Sequence, residues 1–121
     1  MYYPAAELEV LIGKVLTNVE NVDNQEVFFT TVDGKKYVLY HEQDCCEYVR
    51  VEDIIGDLSD LIGTPILMAE LVTNESDPTT DGAYGTWSFY KFATVKGYVT
   101  IRWLGESDGY YSETVTFAKC Q

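Results

Sequence analysis

Alternation of polar and apolar residues with a period of two is the feature that most limits the folds open to this chain. Residues 26–32 and 36–40 show it on either side of Asp33-Gly34, a dipeptide that favours a tight turn between antiparallel strands. Residues 48–52 alternate in the same way. The pattern therefore predicts a domain built largely from antiparallel β-structure.

Further strand-like segments follow the same rule. They are residues 14–22, 65–72, 87–94, 98–104 and 113–119. The turn at residues 95–97 is predicted to join 87–94 and 98–104 into a second hairpin. Residues 73–83 are polar and rich in turn formers, which indicates a long loop inside the domain rather than a domain boundary.

Two short segments, residues 5–12 and 53–62, carry apolar residues at helical spacing, and Gly63 and Pro65 would end the second. The fold class predicted from these patterns is α+β. It consists of a twisted antiparallel β-sheet of about six or seven strands with two short helices, in a single domain over residues 1–121.

Composition excludes several classes of partner. Of 121 residues 46% are hydrophobic, which is enough for a folded core. Twenty acidic against eight basic residues give a formal net charge of -12. This charge opposes non-specific DNA binding and docking on an anionic membrane. We also expect no transmembrane segment, because no run of eighteen apolar residues occurs, and no export signal, because Met1-Tyr2-Tyr3-Pro4 leads into an acidic segment without a charged and apolar leader.

The cysteines and the single histidine give weak chemical signals. Cys45 and Cys46 are adjacent, and neighbouring cysteines in an extended segment rarely bond each other, so we expect free thiols and a reducing compartment. His41 lies close enough in sequence to serve as a base for either thiol, but no third orienting group is evident, and a packing role is the simpler interpretation. With Cys120 as the third cysteine, the count is short for a zinc site. We therefore expect no metal, no cofactor and no catalysis.

Two arginines and seventeen aromatic residues are the more informative features. Arg50 and Arg102 both occur in predicted strands, on the face opposite the apolar residues. Arginine grips phosphate or carboxylate with two parallel hydrogen bonds, and aromatic rings stack on nucleobases. The same residue types dominate protein–protein interfaces, and a solvent-exposed ion pair is the plain alternative for each arginine. Core packing, an interface and a nucleotide pocket all stay open at this point.

Four segments carry a resemblance to a family of small phage proteins. The segments are HEQDCCE at residues 41–47, GDLSDLIGTPIL at 56–67, TWSFYK at 86–91 and VTIRWLGESDGYYSE at 99–113. In these strings the chain resembles the first type of Thoeris anti-defence protein, a phage-encoded sponge. The resemblance runs from about Leu11 to Phe117.

The resemblance implies a function without chemistry. Such proteins sequester cyclic ADP-ribose isomers made by bacterial TIR-domain enzymes, and some also capture cyclic di- or trinucleotides at a separate site. They form homo-oligomers, either dimers or hexamers built from dimers, with pockets at the subunit interface, and they act in the host bacterial cytoplasm during infection. By this resemblance Arg50 and Arg102 match the family's binding arginines. The carry-over is looser for the family's aromatic and asparagine positions, for which this chain offers Tyr84, Trp87, Phe89 and Asn74.

One alternative comes from a different class. An acidic, compact phage protein can mimic DNA and block a restriction or CRISPR nuclease, with carboxylates in place of phosphates. The acids of this chain are scattered and never occur in runs longer than two, which counts against mimicry. A cysteine-dependent enzyme that degrades the signal is a third possibility.

Overall fold

The computed structural model describes residues 3–76, 84–107 and 111–120, with the side chains of residues 74–76 and 84 excepted. Eight strands form two sheets in which every pairing is antiparallel. The strands are β1 (Leu16–Val22), β2 (Glu26–Thr31), β3 (Lys36–Tyr40), β4 (Tyr48–Ile55), β5 (Met68–Ser76), β6 (Tyr84–Thr94), β7 (Gly97–Ser107) and β8 (Thr116–Lys119). The first sheet has the order β1-β2-β3-β8 and the second the order β4-β7-β6-β5.

The predicted α+β class is wrong, because no α-helix occurs in the described residues. The two segments expected to be helical each contain a single 3₁₀ turn, Leu8–Leu11 and Leu58–Leu61. In the second segment, residues 53–55 belong to β4, so only Leu58–Leu61 remains, and the first turn of a helix is the costly one to form. A 3₁₀ turn is enough to bury Leu8, Leu11 and Leu61.

The two sheets pack face to face around one continuous core. Phe29 of β2 and Phe92 of β6 meet across the interface with ring centroids 5.3 Å apart. Trp103 of β7 is also fully buried. Burying a large apolar side chain contributes about 1.5–3 kcal/mol, so these aromatic residues are principal contributors to stability. The inward-facing side chains of β6 and β7 leave the alternate side chains of both strands on the outer face of the second sheet.

The hairpins agree well with the sequence pattern, while strand ends and strand count differ from it. Asp33 and Gly34 turn β2 into β3 as predicted, and β6 and β7 form the second hairpin. β5 begins three residues later than expected and includes Thr73, Asn74, Glu75 and Ser76, which the sequence had suggested were loop. The rest of that expected loop, residues 77–83, lies outside the described residues.

Candidate functional site: the Arg102 face

The register between β6 and β7 brings three of the predicted site residues together. Phe89 lies directly opposite Arg102, and Trp87 lies directly opposite Leu104, two residues further along β7. Directly opposed residues of antiparallel strands project to the same side of the sheet. Val99, Ile101 and Trp103 are buried on the inner side, so Arg102 lies on the outer side, as the sequence predicts.

An irregularity in β4 completes this arrangement. Val51 pairs with Trp103 and Asp53 pairs with Arg102, so Glu52 is an extra residue in β4. A bulge of this kind shifts the side-chain alternation by one residue. Because of it, Asp53 shares the outer face with Arg50 and Arg102. We call this surface, made by Arg50, Asp53, Trp87, Phe89, Arg102 and Leu104, the Arg102 face.

Arg102 itself is held by aromatic rings rather than by strong ion pairs. Its guanidinium carbon lies 4.8 Å from the centre of the Trp87 ring and 5.9 Å from that of Phe89. The two rings are nearly parallel, at 16°, with centroids 6.2 Å apart. Arginine over an aromatic face is a favourable cation–π contact, strongest for tryptophan. The rings therefore position the guanidinium without using up its hydrogen-bond donors.

The polar contacts of Arg102 are correspondingly few. Nη1 lies 3.4 Å from Oδ2 of Asp53, a long contact to a half-exposed carboxylate. Nε is buried and has no hydrogen-bond partner among the described residues. A guanidinium carries five N–H donors. Arg102 can therefore still donate hydrogen bonds to an anion that reaches this face.

Arg50 lies on the same face but is already paired. Its Nε is 3.0 Å from Glu52 Oε2, its Nη1 is 2.6 Å from Glu106 Oε1, and its guanidinium lies over the Tyr48 ring at 4.3 Å. Only 14% of the side chain is exposed. The structure thus separates two arginines that look equivalent in sequence, because Arg50 belongs to a local ion-pair network and Arg102 keeps free donors.

Exposed apolar side chains surround the two arginines. Tyr48 is 56% exposed, Ile55 52% and Val72 42%, and all three occupy outer positions of the second sheet. Tyr48 and Ile55 lie at opposite ends of β4, and Val72 lies on β5 at the other edge of the sheet, so the three are separate exposed residues around this face rather than one patch. The Arg102 face therefore combines a positive donor and flat rings, with separate exposed apolar residues around them.

The other predicted site residues, Asn74 and Tyr84, are placed by backbone only. Asn74 pairs with Trp87 across β5 and β6, and Tyr84 pairs with Ser107 across β6 and β7. Both belong to the second sheet, but their side chains lie outside the described residues. Their contribution to a site stays a prediction.

The histidine and the cysteine pair form a different arrangement from the one expected. Cys45 and Cys46 are joined by a disulfide, so the expectation of two free thiols is wrong, and the argument for a reducing compartment loses this support. The sequence pattern gave no sign that these two adjacent cysteines form a disulfide with each other. His41 contacts neither sulfur. Its Nε2 lies 2.7 Å from Oε2 of Glu47, and its Nδ1 lies 2.8 Å from the carbonyl oxygen of Thr114.

Glu47 is the residue that sequence reasoning missed. Its side chain is buried, and the amides of Asp44 and Cys45 donate to it at 2.9 Å each. Burial raises the pKa of Glu47, but the hydrogen bonds from Cys45, His41 and Asp44 outweigh it and lower the pKa to about 2. Glu47 is thus an ionised, fully bonded anchor for the 41–47 segment, where an exposed acid would have been the default interpretation.

The described residues hold no candidate metal site and no candidate membrane-spanning helix. No group of three or more histidine, cysteine or acidic side chains is arranged to hold a metal ion within the described part of the chain. Within the same ranges, no helix has both the length and the apolar character needed to cross a bilayer.

Comparison with known proteins assigns a family. No curated protein and no solved structure matches the sequence. The family DUF7448, described as a domain of unknown function, matches residues 9–117. That range includes every strand that contributes to the Arg102 face. The chain belongs to the DUF7448 family.

Proposed function

We propose that this protein is a phage anti-defence sponge that binds a cyclic ADP-ribose isomer and holds it unaltered. Two lines of support lead to this proposal. The first is the resemblance of the four sequence segments to Thoeris anti-defence proteins. The second is the Arg102 face, which offers hydrogen-bond donors for the diphosphate and aromatic rings for the adenine of a cyclic ADP-ribose isomer.

The single observation that carries the proposal is the environment of Arg102. Its guanidinium lies over Trp87, and its one hydrogen bond to the described residues is the 3.4 Å contact from Nη1 to Asp53, so donors on the terminal nitrogens are available to a ligand. A pyrophosphate accepts paired hydrogen bonds from such a guanidinium, and adenine can pack against the partly exposed rings of Trp87 and Phe89. Stacking contributes about 1–3 kcal/mol per base. Local contacts of this kind are needed because the net charge of -12 repels a phosphorylated ligand on approach.

Binding without turnover agrees with the state of the other reactive groups. Cys45 and Cys46 are bonded to each other, and both ring nitrogens of His41 are engaged. Neither thiol is therefore available as a nucleophile, and His41 is not positioned to act as its base. This supports a sponge over a cysteine-dependent enzyme that degrades the signal.

A homo-oligomer would supply the enclosure that one flat face lacks. The outer face of a sheet is open on one side, and the exposed apolar residues around it, Tyr48, Ile55 and Val72, suit contact with a second copy. We propose a dimer, or a hexamer built from dimers, with the ligand between subunits, and by resemblance a separate site for cyclic di- or trinucleotides. The proposed location is the cytoplasm of the infected bacterium, where a TIR enzyme releases its product.

Native mass spectrometry of the purified protein with cyclic ADP-ribose isomers tests the proposal. We expect an added mass equal to the intact ligand, a defined subunit count, and recovery of the unmodified ligand after heat denaturation. Recovery of a cleaved product would replace the sponge with an enzyme, and the absence of any complex would contradict the proposal.

Salt dependence distinguishes the sponge from the DNA mimic. A ligand stacked in an enclosed site should lose little affinity as salt rises, because stacking and buried contacts are poorly screened. A DNA mimic that meets its nuclease through many carboxylates should weaken steeply over the same range. Binding to a nuclease with such a steep dependence, together with no nucleotide binding, would favour mimicry.

A further inference from the structure

β6 also lines a cavity, on the side of the sheet that faces away from Arg102. Trp87 and Phe89 project outward, whereas Thr86, Ser88 and Tyr90 alternate with them and project to the other side of the same sheet. There they line a cavity of about 410 Å³ between β5, β6 and residues 111–115. This volume lies within the range of small-molecule sites, about 300–1,000 Å³. The cavity and the Arg102 face are therefore on opposite sides of one strand.

The wall formed by residues 111–115 is fixed against the sheet. Thr86 Oγ1 donates to Glu113 Oε1 at 2.7 Å, and Ser107 donates to Glu113 Oε2. The Tyr90 hydroxyl donates to the carbonyl oxygen of Val115 at 3.3 Å. Gly105 permits this approach, because a Cβ there would lie only 2.8 Å from the Cβ of Glu113. The cavity is thus a built feature rather than a gap beneath a loose segment.

Ser88 contributes a hydroxyl group to the lining of the cavity. The residue is only 4% exposed and lines the cavity, yet no described residue hydrogen bonds to its hydroxyl. Its Oγ is not among the buried side-chain atoms that lack a partner, so the hydroxyl is accessible from the cavity, and a ligand that displaces water from it must replace the hydrogen bonds of that water. Filling the cavity with a purely apolar molecule would leave Ser88 unpartnered. A ligand that carries its own hydroxyl groups would satisfy it.

The charge of the lining narrows the ligand class. The described lining residues include no lysine, arginine or histidine, and Glu113 is the one acid among them. An anion is therefore disfavoured. Both carboxylate oxygens of Glu113 already accept hydrogen bonds from the hydroxyl groups of Thr86 and Ser107, so this carboxylate holds residues 111–115 in place. Hydroxyl groups of Thr73, Ser112 and Thr114 and the aromatic side chain of Tyr111 make up much of the rest of the lining.

We propose that this cavity is a binding site for an uncharged polyhydroxy ligand of monosaccharide size, with Ser88 as the central hydrogen-bonding group. Sugar hydroxyls both donate and accept, which matches a lining of serine, threonine and tyrosine hydroxyls. The site does not depend on Arg102 and so goes beyond the proposed nucleotide-binding function.

Nuclear magnetic resonance titration of the ¹⁵N-labelled full chain tests this site. The probes are D-ribose and D-glucose, with inorganic phosphate and ethanolamine as charged comparisons. We expect saturable shifts from at least one sugar at the amides of residues 86, 88 and 112–115. The proposal is overturned if neither sugar gives a saturable shift there, or if phosphate or ethanolamine binds in their place.

Variants make the assignment specific. Ser88→Ala should weaken sugar binding by about threefold to tenfold, the effect of one lost hydrogen bond. Ser88→Leu should abolish binding by filling the cavity, and the dispersion of the same spectra reports whether it folds. Arg102→Ala should leave sugar binding unchanged even if nucleotide binding is lost. Unchanged sugar affinity in a folded Ser88→Ala protein would show that the hydroxyl is not used and would overturn the proposal.

Discussion

Asp53 is the direct cross-strand neighbour of Arg102, and its Oδ2 lies 3.4 Å from Arg102 Nη1. This pairing exists only because Glu52 is an extra residue in β4, which turns Asp53 to the outer face. Asp53 is half exposed, so the ion pair is weak, well below about 1 kcal/mol. Asp53 therefore acts as a mild competitor for any anion that binds Arg102.

Asp53→Asn should strengthen nucleotide binding. Removing the carboxylate frees Nη1 and lowers local repulsion, and we expect an increase in affinity of about twofold to fivefold. Isothermal titration calorimetry with the same cyclic ADP-ribose isomer measures it. Glu20→Gln is the matched control, because it changes the net charge equally on an exposed position of β1. A weaker affinity for Asp53→Asn would mean that Asp53 positions Arg102 rather than competing with the ligand.

The buried pair of His41 and Glu47 predicts a pH-dependent contribution to stability. The folded-state pKa of Glu47 is about 2 against an ordinary value of 4.5, so the unfolded chain binds the proton more readily. The stabilisation is fully present above pH 4.5 and is lost as the pH falls from 4.5 toward 2. Glu47→Gln should therefore be less stable than the wild type at pH 7, and the difference should shrink across that window.

Urea unfolding at a series of pH values checks this expectation, with Glu20→Gln as an exposed control. A difference between wild type and Glu47→Gln that stays constant from pH 7 to pH 2.5 would show that lost packing, and not ionisation, accounts for the effect.

Gly56→Ala should destabilise the fold more than an equivalent change at Gly34. Both glycines have positive φ, +102° and +87°, so alanine is strained at each, by about 1–2 kcal/mol. At Gly34 a Cβ meets nothing within 4 Å, whereas at Gly56 it would lie 2.5 Å from the carbonyl oxygen of Tyr98. We expect a loss of about 3 kcal/mol or more for Gly56→Ala in the free energy of unfolding. Equal losses in the free energy of unfolding for the two variants would mean that the backbone of β7 shifts away from the new Cβ at Tyr98 without destabilising the protein.

Replacing both cysteines should not affect nucleotide binding. The pair Cys45 and Cys46 is exposed and bonded internally, whereas the contacts of Arg102 come from β4, β6 and β7. Cys45→Ser combined with Cys46→Ser should bind the ligand as the wild type does in calorimetry. Loss of binding in a well-folded double variant would assign the cysteines a role in the site and would require the sponge mechanism to be revised.

The sequence predicted local pairing and side-chain direction better than it predicted three-dimensional arrangement. Asp33-Gly34 correctly predicted a hairpin, and the alternation around Arg102 correctly predicted that its side chain projects to the other side of the sheet from Ile101 and Trp103. Both signals are local in the sequence. The division of the strands into two sheets could not be inferred, since the same alternation of polar and apolar residues occurs in strands of a single sheet and in strands of two packed sheets. Ile54, Leu58, Leu61 and Ile62 predicted a helix over residues 53–62, but Ile54 belongs to β4. Leu58 and Leu61 lie in a 3₁₀ turn, which shares this spacing with an α-helix over one turn.

The site was predictable only in part for related reasons. Arg50 and Arg102 look alike along the chain, and only the folded structure shows that Arg50 forms an ion pair with Glu106 while Arg102 lies opposite Phe89. The bulge at Glu52 has no sequence signal of its own. Glu47 was missed because its partners Asp44 and Cys45 act through backbone amides, which no side-chain pattern reveals.

Ligand retention by Arg102→Ala tests the central claim most directly, with Lys119→Ala as a control that removes one positive charge from an exposed position in β8. Both proteins are incubated with the cyclic ADP-ribose isomer that the wild type binds and are examined by native mass spectrometry, after circular dichroism has established that they are folded. We predict that Lys119→Ala carries the intact ligand and that Arg102→Ala carries none while keeping the wild-type subunit count. A folded Arg102→Ala protein that retains the ligand as the wild type does would contradict the account.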